Sequence, residues 1–359
     1  MKARARRAAP LAAPAALGYR MPAEWEPHAA TWLAWPHERS DWPGKFEPIP
    51  WVFGEVVRHL VPGERVRILV AGARAEREAR TVLKRAGVDR RRVDFFRVPT
   101  DRSWTRDSLP TFVRRRGGDV GLVDWRFNAW AKYPNWRRDD AIGARLARTL
   151  GRPTWQPVAR GRRVVLEGGA IDVNGRGTLL ATEECLLSRV QARNPGLGRA
   201  GIERMLADTL AIRKVLWLGH GIAGDDTHGH IDDLARFVGP RTVAIVATDD
   251  RGHVDYERLR ENHRRLRRMT DQDGRPLRIV TLPMPAPLLL DGQRLPASYS
   301  NFYVANGVVL VPTFNDPEDR RATATLARLF PTRRIIGIHA VDLVWGLGTL
   351  HCMTQQEPA

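Results

Sequence analysis

The chain has 359 residues, 43% of them hydrophobic, enough to bury a large core as one big domain or two ordinary ones. No apolar run is long enough to cross a membrane. Two cysteines, Cys185 and Cys352, are too few for a disulfide-stapled secreted fold, which makes the cytoplasm the natural setting. The net charge of +18 raises nucleic-acid binding, but the arginines are spread along the whole chain and lysine occurs only at positions 2, 45, 84, 132 and 214. Runs such as Arg90–Arg92 and Arg264–Arg268 therefore read as solvated faces, and no nucleic-acid partner is expected.

Residues 1–18, MKARARRAAPLAAPAALG, have a basic start and an Ala/Pro stretch broken by Pro10 and Pro14. They read as a disordered tail rather than a signal peptide, leaving 19–359 as a single domain. A degenerate first unit follows: ATWLAWP (30–36), PWVFGEVVRHL (50–60) and RVRILVAG (65–72), or strand, helix, strand. The second is a hairpin, TFVRRRGGDVGLVDWRF (111–127), then the helix DDAIGARLARTL (139–150) and a short strand near Thr154.

The third unit, VVLEGGAIDVNGRGTLLAT (164–182), gives two apolar strands around Asn174-Gly175, a strong hairpin signal. A loop with Cys185 and Arg193-Asn194-Pro195 leads to the helix GRAGIERMLADTL (198–210) and the strand KVLWL (214–218). HIDDLARFVGPRTVAIVAT (230–248), DYERLRENHRRLRRM (255–269) and RIVTLPM (278–284) repeat the order. So do YSNFYVANGVVLVPTF (299–314), PEDRRATATLARLF (317–330) and RIIGI (334–338). The last strand, LHCMTQQ (350–356), is expected to complete the first unit.

Five strand-strand-helix-strand units predict an α/β fold closed radially, a five-bladed pseudo-symmetric α/β propeller, in which each unit covers the face its neighbour exposes. An open α/β sheet with hairpin insertions is the alternative. In a radial array equivalent positions converge on the axis. Asp107 precedes the second hairpin, Glu167 enters the third, His230 and Asp232 the fourth, Asn301 the fifth, and Cys352 the closing strand.

Two chemistries suit this set. His228, His230 and Asp232 spell H-x-H-x-D, which a metal-dependent hydrolase could use, but position 233 is Asp and His253, His263 and His339 lie in helix or strand contexts. No second ligand cluster is evident, so no metal and no organic cofactor is expected. The other chemistry starts from Cys352. A thiolate beside histidine is a nucleophile, yet neighbouring carboxylates oppose its formation. A substrate that brings its own cation removes the conflict. Asp107 and Asp232 would hold a guanidinium by paired N–H donors, Cys352 would attack its carbon, His230 would move protons and Glu167 would orient His230. Cys185 reads as a small core residue, and Asp225 as part of a charged turn.

The segments RMPAEWEPHAATWLAWP (20–36), WTRD (104–107), FNAWAKYP (127–134), LEGG (166–169), TEECLL with RNP (182–195), GDDTHGHIDDLARF (224–237), NDPED (315–319) and GLGTLHCMTQQ (346–356) resemble the agmatine deiminase family. That family is related to bacterial peptidylarginine deiminases, and the likeness runs in order from about residue 19 to 357. It implies a five-bladed α/β propeller and hydrolysis of a small cationic guanidine, agmatine, to N-carbamoylputrescine and ammonia, in putrescine biosynthesis. The motifs carry the nucleophile to Cys352, the histidine to His230, the guanidinium-binding aspartates to Asp107 and Asp232 and the glutamate to Glu167, with Trp104 stacking on the substrate plane. Asp226 stands where the family more often has Glu. If that acid holds the far ammonium, the shorter side chain could alter the preferred chain length. Peptidylarginine or another small guanidine is the alternative substrate, and a homo-oligomer is left open.

Overall fold

The computed structural model describes residues 12–359 and shows an α/β chain in which five small sheets repeat one order: an antiparallel hairpin, a helical crossover, then a parallel strand. The fifth unit shows the logic. Tyr303–Ala305 and Val308–Thr313 pair antiparallel across Asn306-Gly307, where Gly307 takes φ 73°, a left-handed value that glycine adopts without penalty. Helix Glu318–Leu329 then returns the chain so that Arg334–His339 lies parallel to Val308–Thr313. Val308 through Val311 are all buried, as expected for a central strand covered on both faces.

The fourth unit follows the same course through Ala235–Gly239, Thr242–Ala247, helix Tyr256–Leu266 and Arg278–Pro283. In the second, Thr111–Arg115 and Val120–Val123 are followed by helices Arg137–Asp140 and Ile142–Leu150 and the short strand Thr154–Trp155, and Tyr19–Arg20 adds an antiparallel edge. The first unit is built from both ends of the described chain. His28–Ala34 pairs in parallel with Arg65–Val70, and on its other edge antiparallel with Gln355–Pro358. A second crossover, helix Ala73–Arg85, adds Val93–Arg97, a strand the sequence reading left out.

Three expectations are corrected. The third hairpin is only Asp172–Val173 against Thr178–Thr182, because Glu167-Gly168-Gly169 leaves the sheet in a tight turn, Gly168–Ala170. The C-terminal strand begins at Gln355, so Cys352 lies in the turn before it rather than in the ladder. Residues 1–11 of the expected tail lie outside the described residues, whereas 12–18 are placed: the carbonyl of Ala12 accepts from Trp155 Nε1 at 2.9 Å, and Ala15–Leu17 forms a helical turn. Among the described residues no helix is long and apolar enough to cross a membrane.

One feature recurs at the start of the repeated units. Short turns at Thr105–Ser108, Gly168–Ala170, Ile231–Asp233 and Tyr299–Asn301 precede the first strands of units two to five, and residues 349–354 form the turn before Gln355–Pro358. These turns, not the strands, carry the polar residues singled out by sequence.

Candidate active site

The turns meet around one small space. Cys352 Sγ accepts a hydrogen bond from Asn301 Nδ2 at 3.2 Å and lies 3.9 Å from Asp232 Oδ2. His230 Nδ1 stands 3.9 Å from Asp107 Oδ2 and 4.0 Å from Asp232 Oδ1. The cysteine is 7% exposed and Asp232 is wholly buried. A Cβ on Gly169 would fall 2.5 Å from His230 Nδ1, 3.0 Å from Asp107 Oδ1 and 3.1 Å from Asp232 Oδ2, so the third turn can approach only as bare backbone.

Each carboxylate is held from behind. Asp107 Oδ1 accepts from Gly169 N and Oδ2 from Trp130 Nε1, both at 2.9 Å. Trp130 is delivered by three successive left-handed residues, Ala129, Trp130 and Ala131, with φ of 49°, 58° and 55°. Non-glycine residues there cost about 1–3 kcal/mol each, a strain the surroundings must hold. Asp232 Oδ2 accepts from His351 Nδ1 at 2.6 Å, while Oδ1 is buried with no hydrogen-bond partner. A buried acceptor left open in this way costs about 1–3 kcal/mol unless a ligand supplies the donor.

Below the turns lies a charge cluster that explains why distant motifs occur together. His351 Nε2 contacts Glu24 Oε2 at 2.8 Å, and Glu24 also meets Arg236 at 2.9 Å and Arg106 at 3.3 Å. Since carboxylates only accept, both ring nitrogens of His351 donate. Burial would push the Glu24 carboxyl up, but Arg236, His351 and Arg106 hold it well below the usual range.

Burial also raises the Asp232 carboxyl, and the His351 hydrogen bond with the charges of His351, His230 and Arg236 overcomes it, keeping Asp232 ionised. Asp107 is raised by burial, with Asp232 and Glu167 adding to the effect and His230 opposing it. Burial disfavours charge on His230, yet Asp107, Cys185 and Asp232 lift its pKa well above normal. The Cys352 thiol is pushed well up by burial and then by Asp232, Asp233 and Asp107. The thiol is therefore neutral and faces an electronegative gap of a kind that a planar cation suits.

The other expected residues divide. Trp104 lines the cavity, packing against Trp42 at 5.3 Å between ring centroids. Gly348 passes so near that a Cβ would be 3.0 Å from Trp104 and 3.1 Å from the Cys352 Cβ. Asn301 does not line the cavity. Its side-chain amide nitrogen spans Cys352 Sγ and Asp233 Oδ1, and its side-chain oxygen accepts from Thr349 Oγ1 and His351 N, so it holds the cysteine turn; His230 and Asp232 likewise lie behind the residues that line the cavity. Glu167 is close to His230, but its Oε1 accepts from Arg193 Nε at 3.0 Å, and neither Glu167 Oε2 nor His230 Nε2 has a hydrogen-bond partner.

His228 turns away at φ 67° to meet Ser188 Oγ at 3.2 Å, so H-x-H-x-D does not converge as a metal cage. Asp225 is the scaffold of that loop, accepting from the backbone N–H of Thr227, Gly229 and His230, each at 2.8 Å. Sequence reasoning missed Trp130, His351 and Arg193 as supports, while Cys185 is buried in a hydrophobic cluster as expected. The Cys185 sulfur lies within 4.8 Å of a His230 ring nitrogen and a Glu167 oxygen. These residues lie in the FNAWAKYP, HCMT, RNP and TEECLL segments, but nothing in their periodicity marks them as supports.

The cavity, of about 410 Å³, runs from Cys352, Asp107 and Trp130 to Asp226, Tyr133, Arg102 and Asp41. Burial pushes the Asp41 carboxyl up to about 7 despite its ion pair with Arg102.

The sequence profile of the Porphyromonas-type peptidyl-arginine deiminase family matches residues 20–358. The chain belongs to this family. Within it, agmatine deiminase of Pseudomonas aeruginosa (strain LESB58) is 36% identical over 373 residues, covering 98% of each chain. Agmatine deiminase of Enterococcus faecalis, solved catalysing its reaction, superposes with a TM-score of 0.88 at 33% identity, covering 97% of this deiminase-family chain and 98% of its own. An agmatine deiminase of C. jejuni carrying a Cys-to-Ser exchange and bound substrate gives 0.84 at 28%, covering 95% and 96%.

Proposed function

We propose that this deiminase-family chain hydrolyses agmatine to N-carbamoylputrescine and ammonia, with Cys352 as nucleophile, His230 as proton carrier, Asp107 and Asp232 as the guanidinium clamp, and Trp104 against the substrate plane. The observation that carries the reading is the gap itself, bounded by Cys352 Sγ, two carboxylates 3.9 and 4.0 Å from His230, and the open Oδ1 of Asp232. Family membership and 36% identity to an agmatine deiminase over nearly the full length support the substrate. The five sheets are read as blades of a single pseudo-symmetric propeller spanning 19–359, and the reaction as cytoplasmic, feeding putrescine production.

The guanidinium offsets the negative field that keeps the thiol protonated, so substrate binding favours the thiolate. Sulfur attacks the guanidinium carbon to give a tetrahedral adduct. The C–N bond breaks, its electron pair stays on nitrogen, and His230 supplies the proton with which ammonia leaves. Neutral His230 then takes a proton from water and hydroxide adds to the thiouronium carbon; the C–S bond breaks with its electron pair on sulfur, and the adduct's hydroxyl proton passes to that sulfur, releasing the neutral ureido product and restoring the thiol. Glu167 and Cys185, beside His230, complete its surroundings.

Ammonia and ureido release from agmatine, arginine and a blocked arginyl peptide, each with EDTA, tests this in wild type and Cys352→Ala. Agmatine turnover that survives EDTA and vanishes in the variant is expected. Turnover abolished by EDTA would favour a metal mechanism, and preference for the peptide would replace the substrate.

A further inference from the structure

The far end of the cavity holds two carboxylates, each already joined to a cation. Asp226 pairs with the ammonium of Lys132 through one oxygen and accepts the Tyr133 hydroxyl at 2.7 Å through the other. Asp41 pairs with Arg102, whose second nitrogen reaches Asn135 Oδ1 at 3.2 Å and whose guanidinium lies over the Tyr133 ring at 4.4 Å. A substrate bringing a second positive charge therefore meets, at this end and among the described residues, only carboxylates that are already compensated. To gain an ion pair there it must displace one of these cations.

The two are not equally held. The Arg102 side chain is 12% exposed and tied at three points, whereas Lys132 is 42% exposed and held at two, its bond to Asp226 and a longer approach over the Tyr133 ring at 5.5 Å. The Asp226 side chain is 9% exposed, so the carboxylate is fixed while its partner is free to swing into water. A lysine ammonium and the primary ammonium of an aminoalkyl guanidine are the same chemical group. Exchanging one for the other on Asp226 conserves charge and hydrogen bonds, and Tyr133 keeps the second oxygen occupied throughout.

We propose that Lys132, through its ion pair with Asp226, is a built-in competitor for the far cation of the substrate and sets how strongly a second charge is rewarded. This rests on the guanidine-deiminase reading of the same site. Lys132 in this role discounts dicationic substrates relative to guanidines of equal length with an uncharged end.

The test compares agmatine with butylguanidine as substrates of wild type, Lys132→Met and Asp226→Asn. Lys132→Met is expected to raise the agmatine-to-butylguanidine ratio of kcat/KM by about three- to fivefold, the size of effect a half-exposed ion pair carries, and Asp226→Asn to lower it. A ratio that stays level or falls in Lys132→Met overturns the proposal, since it would make Lys132 a support that orients Asp226. Calorimetric binding of agmatine to Cys352→Ala and to Cys352→Ala/Lys132→Met decides the matter without turnover. Tighter binding to the double variant supports the proposal, and weaker, equal or absent binding overturns it even if the catalytic reading itself has failed. Thermal midpoints of each variant separate these effects from misfolding.

Discussion

Burial and three neighbouring carboxylates oppose ionisation of Cys352, and that has a measurable consequence. Its pKa lies above the ordinary thiol value, so the thiolate is scarce at neutral pH and grows only as pH rises past the usual range near 8.5. In a Cys185→Ala background, iodoacetamide alkylation of Cys352 should be slower at pH 7 than that of a free thiol, with its midpoint displaced to alkaline pH. Asp232→Asn should move the midpoint down, because it removes the carboxylate that acts most strongly after burial. A midpoint at or below the free-thiol value would show that the negative field does not control the sulfur. The residues that reach into the gap were legible in the sequence because catalysis needs rare types in odd places. Their supports were not: His351 and Trp130 look like ordinary core neighbours until the hydrogen bonds to Asp232 and Asp107 are seen.

At the scale of elements, the turns before the hairpins do the positioning, and Gly169 shows how little room they leave. Gly169→Ala should leave the third hairpin paired, since Asp172–Val173 begins three residues later, yet force a methyl among His230, Asp107 and Asp232. Overpacking of a dense site typically costs about 1–3 kcal/mol. The expected outcome is a fold retained by circular dichroism with a loss of agmatine turnover of at least about a hundredfold; near-normal turnover would mean the turn can retreat. Hairpins and crossover helices were readable from Asn-Gly turns and apolar periodicity. The turns were assigned to strands at 164–169 and 350–354 because apolar residues such as Val164, Val165 and Leu350 mimic strand pattern, and only tertiary packing distinguishes a buried turn from a buried ladder.

Across the whole molecule, Glu357 joins units far apart in sequence. It accepts from Trp32 Nε1 at 2.8 Å and pairs with Arg67 of the first sheet and Arg152 ahead of the last strand of the second. The carboxylate is fully buried while Arg67 and Arg152 are 17% and 25% exposed, so Glu357→Gln should weaken both charge-assisted contacts and destabilise by about 1–3 kcal/mol. A denaturant midpoint equal to wild type would refute that. The repeat order was readable from end to end, but the second crossover and fourth strand of the first unit were not, because helix Ala73–Arg85 is strongly polar and buries only Ala79 and Leu83.

The pairing of Gln355–Pro358 with His28–Ala34 also has a temporal side. A ribosome makes Asp107, His230 and Asp232 before Cys352, and Cys352 before the strand that pairs with His28–Ala34. With Cys352 as the proposed nucleophile, turnover is expected only once synthesis has passed Pro358 and that strand has docked beside His28–Ala34, so activity would also report that these two distant segments have been joined.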